Sequence, residues 1–221
     1  IENRADIEAG AELTLAHLKR WGLAMHITGK TEAMYIPQPV LNRQEGIQGP
    51  SGTSNPQQIY ISGGFIPISS CFKYLGCKLT SDLSDYTEIR SRLSSAAGAF
   101  ASLAPILTHR HAIPSRKRHI YTSLVLSIML HGCESWAVPL SILKKVVWLH
   151  NKLLRRMLRI TRHTQRLHHI TTNQVEKTLG IPPAMALIED RQLRFLGHAA
   201  RLNSNRQPRL LLTAFVQDAP R

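Results

Sequence analysis

The chain has 221 residues, 43% hydrophobic and 19% charged, which is enough apolar material for one core or two small ones and too much for a disordered tail. Its net charge of +14 and pI of about 10.4 favour nucleic acid as a partner first and an anionic membrane surface second. No apolar run approaches the ~20 residues of a membrane-spanning helix. The start IENRADIEAG carries no secretory signal and no initiator Met, so the chain is expected to be intracellular, nuclear or cytoplasmic, and cut from something longer. Cys71, Cys77 and Cys133 are an odd, scattered set without a CxxC pair, which suits a reducing compartment and argues against a zinc finger.

In chain order, Ile7–Trp21 has the spacing of an amphipathic helix with Leu13, Ala16, Leu18 and Trp21 on its apolar face, stopped by Gly22. Met34, Tyr35 and Ile36 before Pro37 have strand character, and the segment 37–56, rich in Pro, Gly, Gln and Asn, is expected to be a loop. Ile59-Tyr60-Ile61, Ser62-Gly63-Gly64 and Phe65-Ile66 give a hairpin signal, because glycine supplies the positive φ of a tight turn. Phe72–Thr80 alternates as a further strand, with Leu75, Cys77 and Leu79 on one face. After Ser81 the period becomes helical. Asp85 with Glu88 has capping-box spacing, and the helix behind it runs to Pro105. Pro114 is placed for a first helical turn, and His131-Gly132 closes the helix that follows.

Ser141–Arg166 is the most telling stretch. Ile142, Val146, Leu149, Leu153, Met157 and Ile160 form an apolar stripe, while Lys145, Lys152, Arg156, Arg159 and His163 form a cationic one, widened by Arg155, Arg162 and Arg166. The pattern predicts one long helix. Between Ile89 and Val175 the only acid is Glu134. A surface built for solubility alone mixes its signs, so a phosphate backbone is the favoured partner. A short helix over Thr172–Leu179 precedes a last helix on which Arg191, Arg194 and Arg201 share one face. The eleven histidines include His109, His111, His119, His163, His168 and His169, but no Cys or acid completes a ligand set at metal spacing, so no metal site is expected. Cys133 sits at an apolar helix end with nothing to ionise it.

Gly22-Leu23 with Lys30–Met34, Phe72–Gly76, Lys117 and Tyr121 with Leu130–Trp136, Leu154–Ile160 and Arg191–His198 together resemble, in this order, the sequence blocks of LINE-type (non-LTR) retrotransposon reverse transcriptases. Gly22-Leu23 followed by Lys30-Thr31-Glu32-Ala33-Met34 resembles the segment just after the catalytic aspartates, and Phe72-Lys73-Tyr74-Leu75-Gly76 the strand element that helps hold the primer end. Lys117, Tyr121 and Leu130-His131-Gly132-Cys133-Glu134-Ser135-Trp136 are similar to the "K…Y…LLYGAESW" block. Leu154–Ile160 and Arg191–His198 are similar to the "LRRILGI" and "RRLRWLGH" blocks. The resemblance covers 11–209. His26 stands where the family has Asn, one extra residue separates it from Lys30, and the Asp-Asp metal-binding motif would fall before Ile1. Glu189 and Asp190 cannot replace that motif, because neighbours on a helix diverge by about 100°.

The resemblance implies an α+β, mainly α chain: a palm-edge remnant with a hairpin over 1–82, a basic helical thumb-like region over 83–170, and a C-terminal helical region with a polar tail over 171–221. It implies a fragment of an RNA-directed DNA polymerase that grips the template–primer duplex and is inactive alone, since nucleotidyl transfer needs carboxylates holding two divalent ions. No cofactor is expected in this chain, Mg²⁺ belonging to the intact parent. Lys30 would approach the incoming triphosphate, and Phe72, Tyr74 and Gly76 the primer end. Lys145, Lys152, Arg155, Arg156, Arg159, Arg162, Arg166, Arg191, Arg194 and Arg201 would contact RNA–DNA or another duplex with weak sequence preference. The remaining partner would be the upstream polymerase segment of the same polyprotein, with no membrane. The alternatives are a stand-alone basic nucleic-acid-binding helical protein derived from such an element, or a decayed element without function.

Overall fold

The computed structural model describes residues 4–26, 31–34, 36 and 58–213. It is mainly helical, with two small antiparallel hairpins ahead of the helices. The chain divides into two compact units, Ile1–Asp85 and Tyr86–Arg221.

In the first unit, helix α1 (Arg4–Arg20) packs on the hairpin β1 (Gln58–Ile61) and β2 (Gly64–Pro67). Strand alternation turns Ile59 and Ile61 inward, with Ile66 opposite Ile59, and these three bury Leu15 of α1. The apolar face expected on α1 is therefore misassigned. Leu13 and Trp21 lie outward, and the inward row is Leu15 with Ile7 and Ala11 packed beside it. Helix and hairpin are also tied by charge: the Glu12 carboxylate accepts from the Ser62 amide and from its hydroxyl at 2.7 Å, which holds Glu12 below the usual carboxylate range. Of the strand expected at 34–36 only a single parallel bridge, Ala33 to Ile68, is formed, and Tyr35 lies outside the described residues.

The strand expected over Phe72–Thr80 is instead a second hairpin, β3 (Cys71–Tyr74) and β4 (Cys77–Thr80). Its two-residue turn has positive φ at both Leu75 (48°) and Gly76 (88°), the mirror-image turn that matches strand twist. Leu75 is thus a turn residue, 82% exposed, and shares no strand face with Cys77 and Leu79.

The second unit is all helical among its described residues. Helix α2 (Tyr86–Leu107) carries Ile89, Ala96, Phe100 and Leu107 into the core; Glu88 is buried near its start and pairs with Arg92 one turn on. Pro105 lies two residues before its end. Helix α3 (Pro114–Ile120) begins on its proline and continues through a π-helical segment, Tyr121–Leu126, into the single turn α4 (Ser127–Met129). Gly132 then reverses the chain at φ 73° and a 3₁₀ turn follows, Cys133–Ser135.

Helix α5 (Leu140–Met157) buries Val146, Leu149, Leu153, Leu154 and Met157, each full burial of such a side chain being worth about 1.5–3 kcal/mol. The single helix expected over Ser141–Arg166 is broken. Arg159 takes left-handed backbone (φ 60°), the Ile160 amide bonds the Arg155 carbonyl at 2.9 Å and the Arg159 amide bonds that of Arg156 at 3.0 Å, which together terminate α5. Thr161 then caps a new helix, α6 (Arg162–Leu167), accepting from the Thr164 amide at 3.0 Å. Helices α7 (Thr172–Leu179) and α8 (Ala184–Arg201) lay Val175, Leu179 and Ile188 into the same core as α5, and α9 (Gln207–Thr213) follows. No helix among the described residues is long and apolar enough to cross a membrane.

The Leu75 turn carries a prediction. A left-handed backbone costs a non-glycine residue about 1–2 kcal/mol, and Asn tolerates it best. Leu75→Asn should therefore stabilise the β3–β4 hairpin by about 1 kcal/mol, seen as roughly fivefold greater hydrogen-exchange protection of its cross-strand amides.

Candidate nucleic-acid interface

The charge of the chain is divided as sharply as its fold. Ile1–Asp85 holds 7 Lys and Arg against 8 acids, whereas Tyr86–Arg221 holds 21 against 6. The whole positive excess therefore belongs to the helical unit.

Burying the apolar side of α5 against α2, α7 and α8 forces its other side outward, and with it Lys145, Lys152 and Arg156. The break after Met157 does not end the basic surface: Arg159, Arg162, His163 and Arg166 are all exposed. Arg155 is half-buried, and burial, followed by the nearby Arg162 charge, lowers its pKa from the ordinary value. Lys145 lies 4.8 Å from the centroid of the Tyr86 ring, Lys152 4.9 Å from that of Trp148, and Arg156 5.1 Å from that of Phe100. Between α2 and α5 runs a recess of about 580 Å³, lined by Leu93, Ala97 and Leu149 with Trp148, Lys144, Lys145 and Lys152. A second recess of about 220 Å³ is lined by Trp148, Lys152, Arg155, Arg156, Ile160, Thr161 and Arg162. Trp148 and Lys152 belong to both, and no acid lines either.

Trp148 was not singled out from the sequence. The Trp sits beside the apolar stripe at a position where a tryptophan is normally counted as core, and here it is 50% exposed. Lys117, one of the cations in the basic span, points inward: it is buried, its Nζ donates to the Met157 carbonyl at 2.9 Å, and burial and then Arg159 lower its pKa.

The cations of α8 line neither recess. Arg191 donates to the Leu130 carbonyl at 2.7 Å, and Gln192 bridges the carbonyls of Cys133 at 3.3 Å and Trp136 at 3.2 Å. Two of the sequence blocks thus meet in space, one clamping the turn of the other. Arg194 is exposed and paired with Asp190, and Arg201 is exposed with its guanidinium over Gly197. On the first unit, Phe72 is half-buried, Tyr74 and Gly76 are exposed at the hairpin tip, and Lys73 faces Lys78 across the strands. Lys30 lies outside the described residues. Among the described residues no group of three or more His, Cys, Asp or Glu is arranged to hold a metal ion. Burial is the main influence on the Cys133 thiol and pushes its pKa up, so it is not primed as a nucleophile.

Beneath the basic face, the Tyr121 hydroxyl and His150 Nδ1 are 3.0 Å apart, both fully buried. His150 Nε2 has no hydrogen-bond partner among the described residues, although the Pro182 carbonyl nearby slightly favours the charged ring. Burial dominates and pulls the imidazole pKa down to about 4. No family model, curated protein or solved structure matches this chain.

Two outcomes are expected. Because the folded His150 pKa lies below its unfolded value, stability is fully present above about pH 6.5 and is lost as pH falls toward 4, by about 3 kcal/mol in all. Urea unfolding of the parent at about pH 7 and pH 4.5 should show that loss, and His150→Gln should remove most of the difference between the two conditions. Arg191→Ala should cost about 1.5–3 kcal/mol, because it leaves the Leu130 carbonyl without a charged donor. The same variant should leave the salt dependence of duplex binding nearly unchanged, in contrast to changes on the α5 face.

Proposed function

We propose that this chain grips a nucleic-acid duplex through its phosphate backbone, as the thumb-side portion of a LINE-type reverse transcriptase downstream of the catalytic carboxylates. The observation that carries the reading is the single-sign surface of α5 and the turn behind it, where Lys145, Lys152, Arg156, Arg159, Arg162 and Arg166 are exposed. Lysine and arginine spread along a face contact phosphates at many positions and read few base edges, so sequence preference is weak. An RNA–DNA hybrid is the substrate class that the family resemblance favours. In the intact enzyme the upstream segment would supply the carboxylates and the Mg²⁺ they hold. This portion would hold the duplex in register behind them, and the β3–β4 tip, with Tyr74, Gly76 and Lys73, would approach the primer end. On this reading the chain alone does not polymerise.

The test is a salt titration. If about five phosphates are neutralised, log K for an RNA–DNA hybrid should fall with log salt at a slope near −4 to −5 between roughly 50 and 200 mM. Replacing the exposed Lys152, Arg156, Arg159 and Arg162 with Gln should flatten that slope by roughly 3, with circular dichroism unchanged. A folded quadruple variant with the parent's affinity and slope would show the stripe to be an ordinary solvated face.

A further inference from the structure

The α2–α5 groove has a feature that a phosphate grip does not need. A ring that only steadies a cation can lie buried beneath it, as Phe100 lies beneath Arg156. Trp148 is 50% exposed, with Lys144 and Lys145 one turn before it and Lys152 one turn after. It lines both recesses, the larger with an apolar floor of Leu93, Ala97 and Leu149. The Lys152 ammonium lies 4.9 Å from the ring centroid, which steadies the indole without removing it from solvent. Arg156 and Arg162 line the second recess with it.

We infer that Trp148 is a stacking platform for an unpaired nucleobase, and that the groove along α5 holds a single-stranded stretch of nucleic acid beside the duplex. This rests on the proposed duplex grip and adds a second kind of ligand to the same face. An aromatic platform inside an acid-free cationic groove is the pairing that sequence-tolerant single-strand binders use: the ring takes the base and the cations on either side take the flanking phosphates. Every nucleobase presents a π-face, so the site discriminates paired from unpaired strands and not one base from another. The floor of leucine and alanine offers no hydrogen-bonding side chain that could read a base edge. The competing occupant for a tryptophan among lysines is an anionic lipid surface.

The test compares the parent with Trp148→Ala and Trp148→Phe against three probes: oligothymidylate of roughly 15 nucleotides, long enough to fill a typical single-strand footprint, an RNA–DNA hybrid of similar length, and phosphatidylserine vesicles. Trp148→Ala should weaken oligothymidylate binding by about 5- to 100-fold and hybrid binding by no more than about threefold, the latter through loss of the ring that steadies Lys152. Trp148→Phe, which keeps a π-face, should retain most of the single-strand affinity. The half-exposed position lets both variants fold, and circular dichroism checks this. The inference is overturned if Trp148→Ala binds oligothymidylate within about twofold of the parent, or if it weakens single strand and hybrid alike. It is also overturned if only vesicle binding depends on Trp148. A parent that binds hybrid but no oligothymidylate defeats this inference alone; a parent that binds oligothymidylate but no hybrid defeats the duplex grip and leaves Trp148 to be judged by its own variants.

Discussion

Lys117 places its ammonium inside the helical unit, against the Met157 carbonyl at the last residue of α5. A buried lysine is costly unless its donors are used, and here it serves the helix end where unpaired carbonyls and the negative pole of the dipole accumulate. The bond joins α3 to the place where α5 stops and the chain turns into α6. The bond anchors the end of α5 immediately before the exposed cations Arg159 and Arg162. The same turn is built by left-handed backbone at Arg159, so a positive side chain is held outward at φ 60° by the helix stop itself. The position of the basic surface is therefore set from within, by a cation that takes no part in it.

A second buried layer keeps that surface from rotating. His150 lies on the inner side of α5, opposite Tyr121 of the π-helical segment, and the pair is dry enough to hold the imidazole neutral. Arg191 and Gln192 then fasten α8 to the turn at 130–136 through three backbone carbonyls. Each of these contacts uses a polar group to specify one packing among several that apolar residues alone would permit. The segments that resemble family blocks include this inward-facing set: Lys117, Tyr121, the 130–136 turn and Arg191.

That division explains what could be read in advance. Glycine announces its turns: Gly22 and Gly132 both take positive φ, and each of those chain reversals was legible. Arg159 takes the same left-handed backbone, and there the residue type gives no warning, so α5 and α6 read as one helix. Leu75 hid the β3–β4 turn for the same reason. Periodicity placed Val146, Leu149, Leu153 and Met157 correctly, because about three turns of regular spacing outweigh any single residue. It failed on α1, where Leu13 and Leu15 compete and only the partner hairpin decides which is covered. Net charge found the unit and the helix on which exposed cations gather, but charge cannot tell Lys117 or Arg191, turned inward, from Lys152, turned out.

The means by which the basic side chains are held bears on their use. A surface cation can be steadied by a carboxylate, at the expense of its charge, or by an aromatic ring, which leaves the charge intact. Arg194 on α8 follows the first course with Asp190. Along α5, Lys145, Lys152 and Arg156 follow the second, against Tyr86, Trp148 and Phe100. With 21 Lys and Arg against 6 acids in this unit, self-repulsion opposes the fold, and neutralising pairs would relieve it more cheaply than rings do. Rings restrict the side chains and so reduce the entropy lost when a phosphate is bound, while the full positive potential remains available to it. A face arranged in this way keeps its self-repulsion together with its potential, because no acid lines either recess to relieve it.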